Sequence, residues 1–437
     1  MQGATGRLFT LTLHNNANAP MRRSLLHYTR ILVLPLLAMG MVLTGCDSSG
    51  SNGSNGNNDN GNNGGNGSNA PSYSTSGSYA DQVAVNILAF DLGVRTGSNN
   101  VSNNSESDLD DLYTGANLSG QTLPTGLSGS PAQNTYGEIA TVDLSSLVSG
   151  DNLVRDDEIP NISPPINTEK LLTTYFEEAG NNDVAVTGEG IVISQFAEKM
   201  LLGTPIYGKG AQILNDFVEG NVSNNQAAEW DKAFGYFGFP QTLEPFLDYD
   251  GGGEGLAGGP AQDLDNSGSI DLESEYAYTW ATYAIERAAT AENNGNPNDF
   301  ARDAFEALRK GREDIENGND PSPHAQTALD AWEETVAVNV IHYINSMLGD
   351  LNDDNTDVSQ GDFSEDAWGE AKAFAWGLQF YSRDALSSSQ LNDILGKIGG
   401  APPYGDITES DYRDDLESAR STLKNVYGFN SSNVQNW

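Results

Sequence analysis

Cysteine is almost missing from this chain: Cys46 is the only one in 437 residues. No internal disulfide and no thiolate metal site can form, so stability must come from a packed core, with or without a metal. Histidine is nearly as scarce. Of four, only His324 and His342 lie beyond the first 45 residues, too few for a three-histidine zinc site. HExxH, the phosphate loop GxxxxGK[ST] and the elbow GxSxG are also absent, which removes the sequence support for the usual metalloprotease, P-loop and serine-hydrolase readings. Positive charge is the third shortage. The chain has 21 Lys and Arg against 61 Asp and Glu; leaving out residues 1–45, which hold four arginines and no acid, the formal charge is −44. Such a chain is repelled by nucleic acid and by anionic lipid surfaces, and most of its acid reads as a solvated surface suited to saline surroundings.

What is present begins at the one cysteine. Arg22, Arg23 and Arg30 precede an apolar stretch from Ile31 to Leu43, and Leu43-Thr44-Gly45-Cys46 follows. A basic segment, an apolar segment and a small-residue cleavage site form the layout of an export signal, and the apolar stretch is shorter than the ~20 residues that span a bilayer. It resembles the lipobox of bacterial lipoproteins, which implies cleavage before Cys46, acylation of its thiol and attachment to a membrane through the lipid. Residues 1–20 do not fit a signal, and Met21 is the expected start. Residues 1–45 are therefore read as signal and 46–70 as anchor and tether. From Ser48 to Asn69 every residue is Ser, Gly, Asn or Asp, a flexible coil spanning roughly 25 Å. Asp47 after the acylated residue favours inner-membrane retention under one sorting rule; inner and outer membrane both stay open, with the protein facing the periplasm.

Residues 71–166 are rich in Ser, Gly, Asn and Pro, with short apolar runs at Val83–Phe90 and Ile139–Val142, and read as an irregular, partly β flank closed by Pro164-Pro165. Residues 167–437 read as a helical bundle. Leu171, Leu172, Tyr175 and Phe176 recur at helical spacing, and a long apolar stretch runs from Ile191 to Val218. Trp230, Phe234 and Phe237 follow it, and Ala301, Ala304, Phe305, Leu308 and Ile315 mark another amphipathic segment. Ser387-x-x-Gln390 and Thr408-x-x-Asp411 carry the hydroxyl and the side-chain acceptor that close a helix N-terminus. The segment from Ala325 to Leu348 is apolar around most of its circumference and is predicted to be central. Its one polar line, Thr335, Asn339, His342 and Ser346, falls within roughly 60° of arc and is a candidate ligand line if it faces inward.

The sharpest local motif is Asp263-Leu-Asp265-Asn-Ser267-Gly268-Ser269-Ile270-Asp271-Leu-Glu273-Ser274-Glu275. It resembles the calcium loop of EF-hands and dockerins. Asp263, Asp265, Ser267, the Ser269 carbonyl and Asp271 stand where oxygen ligands converge, and Gly268 permits the turn. Ser274 stands at the twelfth position, where a bidentate Glu is expected, so Glu275 or Glu273 has to substitute. Calcium is the expected ion, bound weakly and as a structural staple. The acidic segment from Asn352 to Asp357 reads as a solvated loop.

Five phrases in the helical half carry a wider resemblance: GIVISQFAEKMLLG, EWDKAFGYFGFP, DFARDAFEALRKGREDI, AWEETVAVNVIHYIN and SEDAWGEAKAFAWGLQF, spread over roughly Gly190 to Gly400. They resemble imelysin-like bacterial lipoproteins (domain of unknown function 4856). The resemblance implies a helical envelope protein tied to iron or haem acquisition. The family's GxHxxE metal motif is absent; His342 is the one matching histidine, with Glu229 and Asp231 as further oxygen ligands. The expectation is a non-enzymatic, lipid-anchored binding protein with iron or haem as its ligand. Its alternative is a calcium-stabilised module contacting another envelope protein or a glycan. A metallopeptidase is carried by the imelysin name alone.

Overall fold

The computed structural model describes residues 71–247, 249, 259–351, 365–381, 385–404 and 408–437. The signal, Cys46, the tether and the acidic segment from Asn352 to Asp357 lie outside the described residues. The protein is mainly α-helical, and residues Gly67–Trp437 cluster as one compact unit. Among the described residues there is no strand, only isolated bridges such as Pro131 with Ile270.

The flank differs from its reading. The run Val83–Phe90, taken for a strand, lies in helix α1 (Ala80–Thr96), where it is buried on every side. A short continuous apolar run has no period to tell a buried helix from a buried strand, and here packing decides. Helix α2 (Glu106–Thr114) follows with a complete Ser105–Asp108 capping box, while Ile139–Val142 is loop rather than strand.

Helix α3 (Thr168–Asn182) buries Leu171, Leu172, Tyr175 and Phe176, the stripe expected of it. The apolar stretch Ile191–Val218 becomes one rod in three parts: α4 (Ile193–Leu201), a π-helical segment Leu202–Gly208, and α5 (Lys209–Val218). Pro205 lies within the π segment and has no N–H to give to the preceding turn, so the ladder has to rephase there. The indole Nε1 of Trp280 donates to the Leu202 carbonyl at 3.1 Å.

Helix α6 (Gln226–Phe237) packs on α8 (Phe300–Asn317), and α7 (Thr279–Asn293) lies beside α8. Trp230 seats its ring where Gly311 presents no side chain: a Cβ there would stand 2.1 Å from the indole. Helix α9 (Ser322–Asp350) is the axis, buried along most of its length against α5, α7, α8 and α10 (Glu365–Phe380). Helices α11 (Ser388–Ile398), α12 (Glu409–Tyr427) and α13 (Ser431–Asn436) close the other side. The Ser387–Gln390 box forms in both directions, and the Thr408 hydroxyl accepts the Asp411 N–H.

Candidate functional site

The loop at 263–275 folds around Glu275. This buried carboxylate accepts backbone N–H groups from Leu264 (2.8 Å) and Asp265 (3.2 Å) on Oε1 and from Asp271 (2.9 Å) on Oε2. Asp263 accepts from Ser267 and Gly268, and Asp265 from Ser267; that backbone donor holds the Asp265 carboxyl below its usual range. Asn266 and Gly268 take positive φ to make the turn. Asp263, Asp265 and Glu275 can hold a metal ion, since one carboxylate oxygen from each falls within 4.8 Å of the others. Of the two acids expected to substitute for Ser274, Glu275 is the one that joins the two aspartates. The remaining expected ligands serve the loop itself. Asp271 Oδ1 caps the N–H groups of Glu273 and Ser274, and the Ser267 hydroxyl donates to the Ser269 carbonyl. Ile270 pairs with the flank through Ser130 and Ala132.

The polar line on α9 divides. Thr335 and Asn339 are fully buried and bond back to their own helix, and Ser346 donates to the His342 carbonyl. His342 does face a cavity, but it is not a free ligand. A guanidinium only donates, so Arg287 Nη1 at 2.9 Å makes Nδ1 the acceptor and leaves the proton on Nε2, which bonds the backbone of Trp437. Burial, then the Arg287 charge, push its pKa down to about 3, and the ring is neutral at pH 7. Metal ligation through either nitrogen would break one of these bonds.

Glu229 and Asp231 are not brought together either. Glu229 pairs with Lys232 at the surface. Asp231 is 2% exposed and saturated: Oδ1 accepts from Tyr73 (2.7 Å) and Arg312 (2.9 Å), and Oδ2 from Thr75 and from the N–H and hydroxyl of Ser76. It clamps residues 73–76 to the bundle and has no lone pair left for iron.

The cavity beside His342 is the feature the sequence did not announce. It measures about 700 Å³ and lies between α1, α4, α7, α9 and α10. Its floor is a buried ion triad. Lys199 Nζ stands 3.1 Å from Glu198 Oε2 and 3.3 Å from Glu370 Oε1, and donates to Gln195 Oε1 at 3.1 Å. Glu370 also takes the Tyr343 hydroxyl, whose oxygen is 3.3 Å from that of Tyr283. Burial raises the carboxyl pKa values of Glu198 and Glu370. Burial alone would lower Lys199, but the two carboxylates outweigh it and hold the ammonium charged. On the far wall Arg287 is held by Asn339 (3.0 Å), His342 and Glu286 (3.4 Å).

One atom stands apart. Glu198 Oε1 is buried and has no hydrogen-bond partner. Gly93 on α1 makes room for this side chain, since a Cβ there would lie 2.9 Å from Oε2. The signal in the sequence was Glu198-Lys199 interrupting an apolar run, two charges on a stretch otherwise fit only for a core. Arg287, Glu286 and Glu370 gave none, because their meeting is tertiary.

No family model, no curated protein and no solved structure matches this chain. No helix among the described residues is long and apolar enough to cross a membrane.

Proposed function

We propose that this protein is a lipid-anchored, non-enzymatic binding protein of the bacterial envelope that holds a small solute in the cavity between α1, α4, α7, α9 and α10. The observation that carries the reading is the buried, orphaned Oε1 of Glu198 in the wall of that cavity. A buried carboxylate oxygen without a donor costs stability, and of the unpartnered buried side-chain atoms this is the one whose residue lines the cavity, where a solute can supply the donor. The setting, iron or metal acquisition, comes from the resemblance to imelysin-like lipoproteins; the anchor comes from the Cys46 motif and the long tether. The loop at 263–275 takes calcium on this reading, because its donors are all hard oxygens, and it acts as a staple between the flank and the bundle.

The test is native mass spectrometry and elemental analysis of the full chain isolated from its host membranes without chelator. The expected result is a retained solute, lost in Gly93→Ala, whose new methyl group displaces Glu198. A chain carrying calcium and nothing else, with wild-type and Gly93→Ala identical, favours the second reading: a calcium-stapled module that works by contacting another envelope protein or a glycan. The acidic triad of the loop is the observation behind that alternative.

A further inference from the structure

The cavity wall carries four carboxylates, from Glu198, Glu286, Asp366 and Glu370, against the two cations Lys199 and Arg287. Each cation already faces a carboxylate of the wall, Lys199 two of them and Arg287 one. All three donors of the Lys199 ammonium are taken, by Glu198, Glu370 and Gln195. Arg287 gives one N–H from each of its three nitrogens to Asn339, His342 and Glu286, and Glu286 is itself an anion against it. By count of charged groups the lining is net negative, and its unpaired acceptor is the buried Oε1 of Glu198.

A bare metal ion fits this wall poorly. The place between Glu198 and Glu370 is filled by the ammonium of Lys199, and the one group of three acidic side chains close enough for a metal among the described residues is the loop at 263–275. The wall also presents the rings of Phe90, Tyr283 and Tyr343, surfaces that suit an organic cation and contribute nothing to a hydrated ion.

We infer that the cavity binds a small organic cation, whose ammonium group donates to Glu198 Oε1 beside the aromatic wall. The inference rests on the reading of the cavity as the solute site and names the chemistry of the solute. The donor group completes the hydrogen bonding of Glu198, and the solute's charge offsets the excess of carboxylates. The Lys199 ammonium already shows that the site tolerates this group at about 3 Å from both acids.

The experiment is titration calorimetry of the full chain in detergent at physiological salt, with spermidine and 1,4-diaminobutane as probes and succinate, calcium and ferric citrate as comparators. The expected result is one site for an amine, weakened about tenfold or more in Glu198→Gln, as loss of a charge-assisted hydrogen bond requires, and unchanged in Asp265→Asn. Glu198→Gln keeps the shape of the side chain, and its melting curve checks that the variant folds. Amine binding that is equal in wild type and Glu198→Gln is attraction to the acidic surface and overturns the inference. No amine binding in a chain that retains a solute lost on Gly93→Ala also overturns it, while the cavity keeps its role. Failure of both measurements overturns the cavity reading itself.

Discussion

Two buried carboxylates of this molecule differ in how completely they are hydrogen-bonded. Asp231 on α6 and Glu198 on α4 both sit in the bundle beside a buried cation, Arg312 for one and Lys199 for the other. Asp231 receives five hydrogen-bond donors from two parts of the chain: three hydroxyls and one backbone N–H from residues 73–76, and the Nε–H of Arg312. Glu198 has one oxygen satisfied and one orphaned on the wall of a cavity. Equal burial thus hides opposite roles, and hydrogen-bond accounting rather than burial tells them apart.

The largest loss is expected at the saturated acid. Asp231→Ala removes the buried carboxylate of the Arg312 pair, leaving that guanidinium only the more exposed Glu316 at 3.0 Å, and frees residues 73–76, so denaturant unfolding should show a loss of about 3 kcal/mol. A loss below about 1 kcal/mol would mean that the clamp is incidental. Next comes Lys372, a further buried charge, held by the Leu395 carbonyl at 2.8 Å and the Trp376 ring and repelled by the charge of Arg155. Burial lowers its pKa to about 7, below the ordinary 10.5. The unfolded chain therefore binds more protons between these values, and stability rises with pH across that window. Lys372→Met removes the slope and raises the melting temperature most at or below pH 7, by the equivalent of roughly 4–5 kcal/mol. A variant with the wild-type slope between pH 7 and 10 would assign that dependence elsewhere.

The loop should respond on a smaller scale. Calcium at ten times its dissociation constant stabilises by about 1.4 kcal/mol, read as a rise in melting temperature that Asp265→Asn abolishes. Smaller still is the effect of Glu198→Gln on stability, within about 1 kcal/mol of wild type, since it removes a desolvated charge along with one ion-pair contact. The contrast with Asp231→Ala is the comparison in its sharpest form. His342 adds an acid limb. Its folded pKa of about 3 lies below the ordinary 6.5, so stability present above pH 6.5 is lost as pH falls toward 3. His342→Gln should flatten the melting temperature between pH 6.5 and 4; an unchanged limb would place the acid sensitivity on carboxylates instead.

What was legible in the sequence was local. Helix periodicity and end signals found the stripe of α3, the circumferential burial of α9, the box at Ser387 and the N-cap at Thr408, because each depends on neighbours three or four residues apart. The acidic loop was readable for the same reason, since Asp263, Asp265 and Glu275 lie close in the chain and meet in space. Helix α1 was misread because Val83–Phe90 is buried all round and carries no period. The polar line on α9 was real as a line, but only the partner helix α7 shows that Arg287 occupies its histidine and its asparagine. The cavity was illegible because Glu198, Arg287 and Glu370 come from three helices far apart in the chain.

The most direct test is the solute content of the full chain taken from its host membranes, wild type beside Glu198→Gln, by native mass spectrometry. The account predicts a small cationic molecule held by the wild type and missing from a variant that melts within a few degrees of it. A variant that keeps the same solute would contradict the account, and would move the binding site away from Glu198.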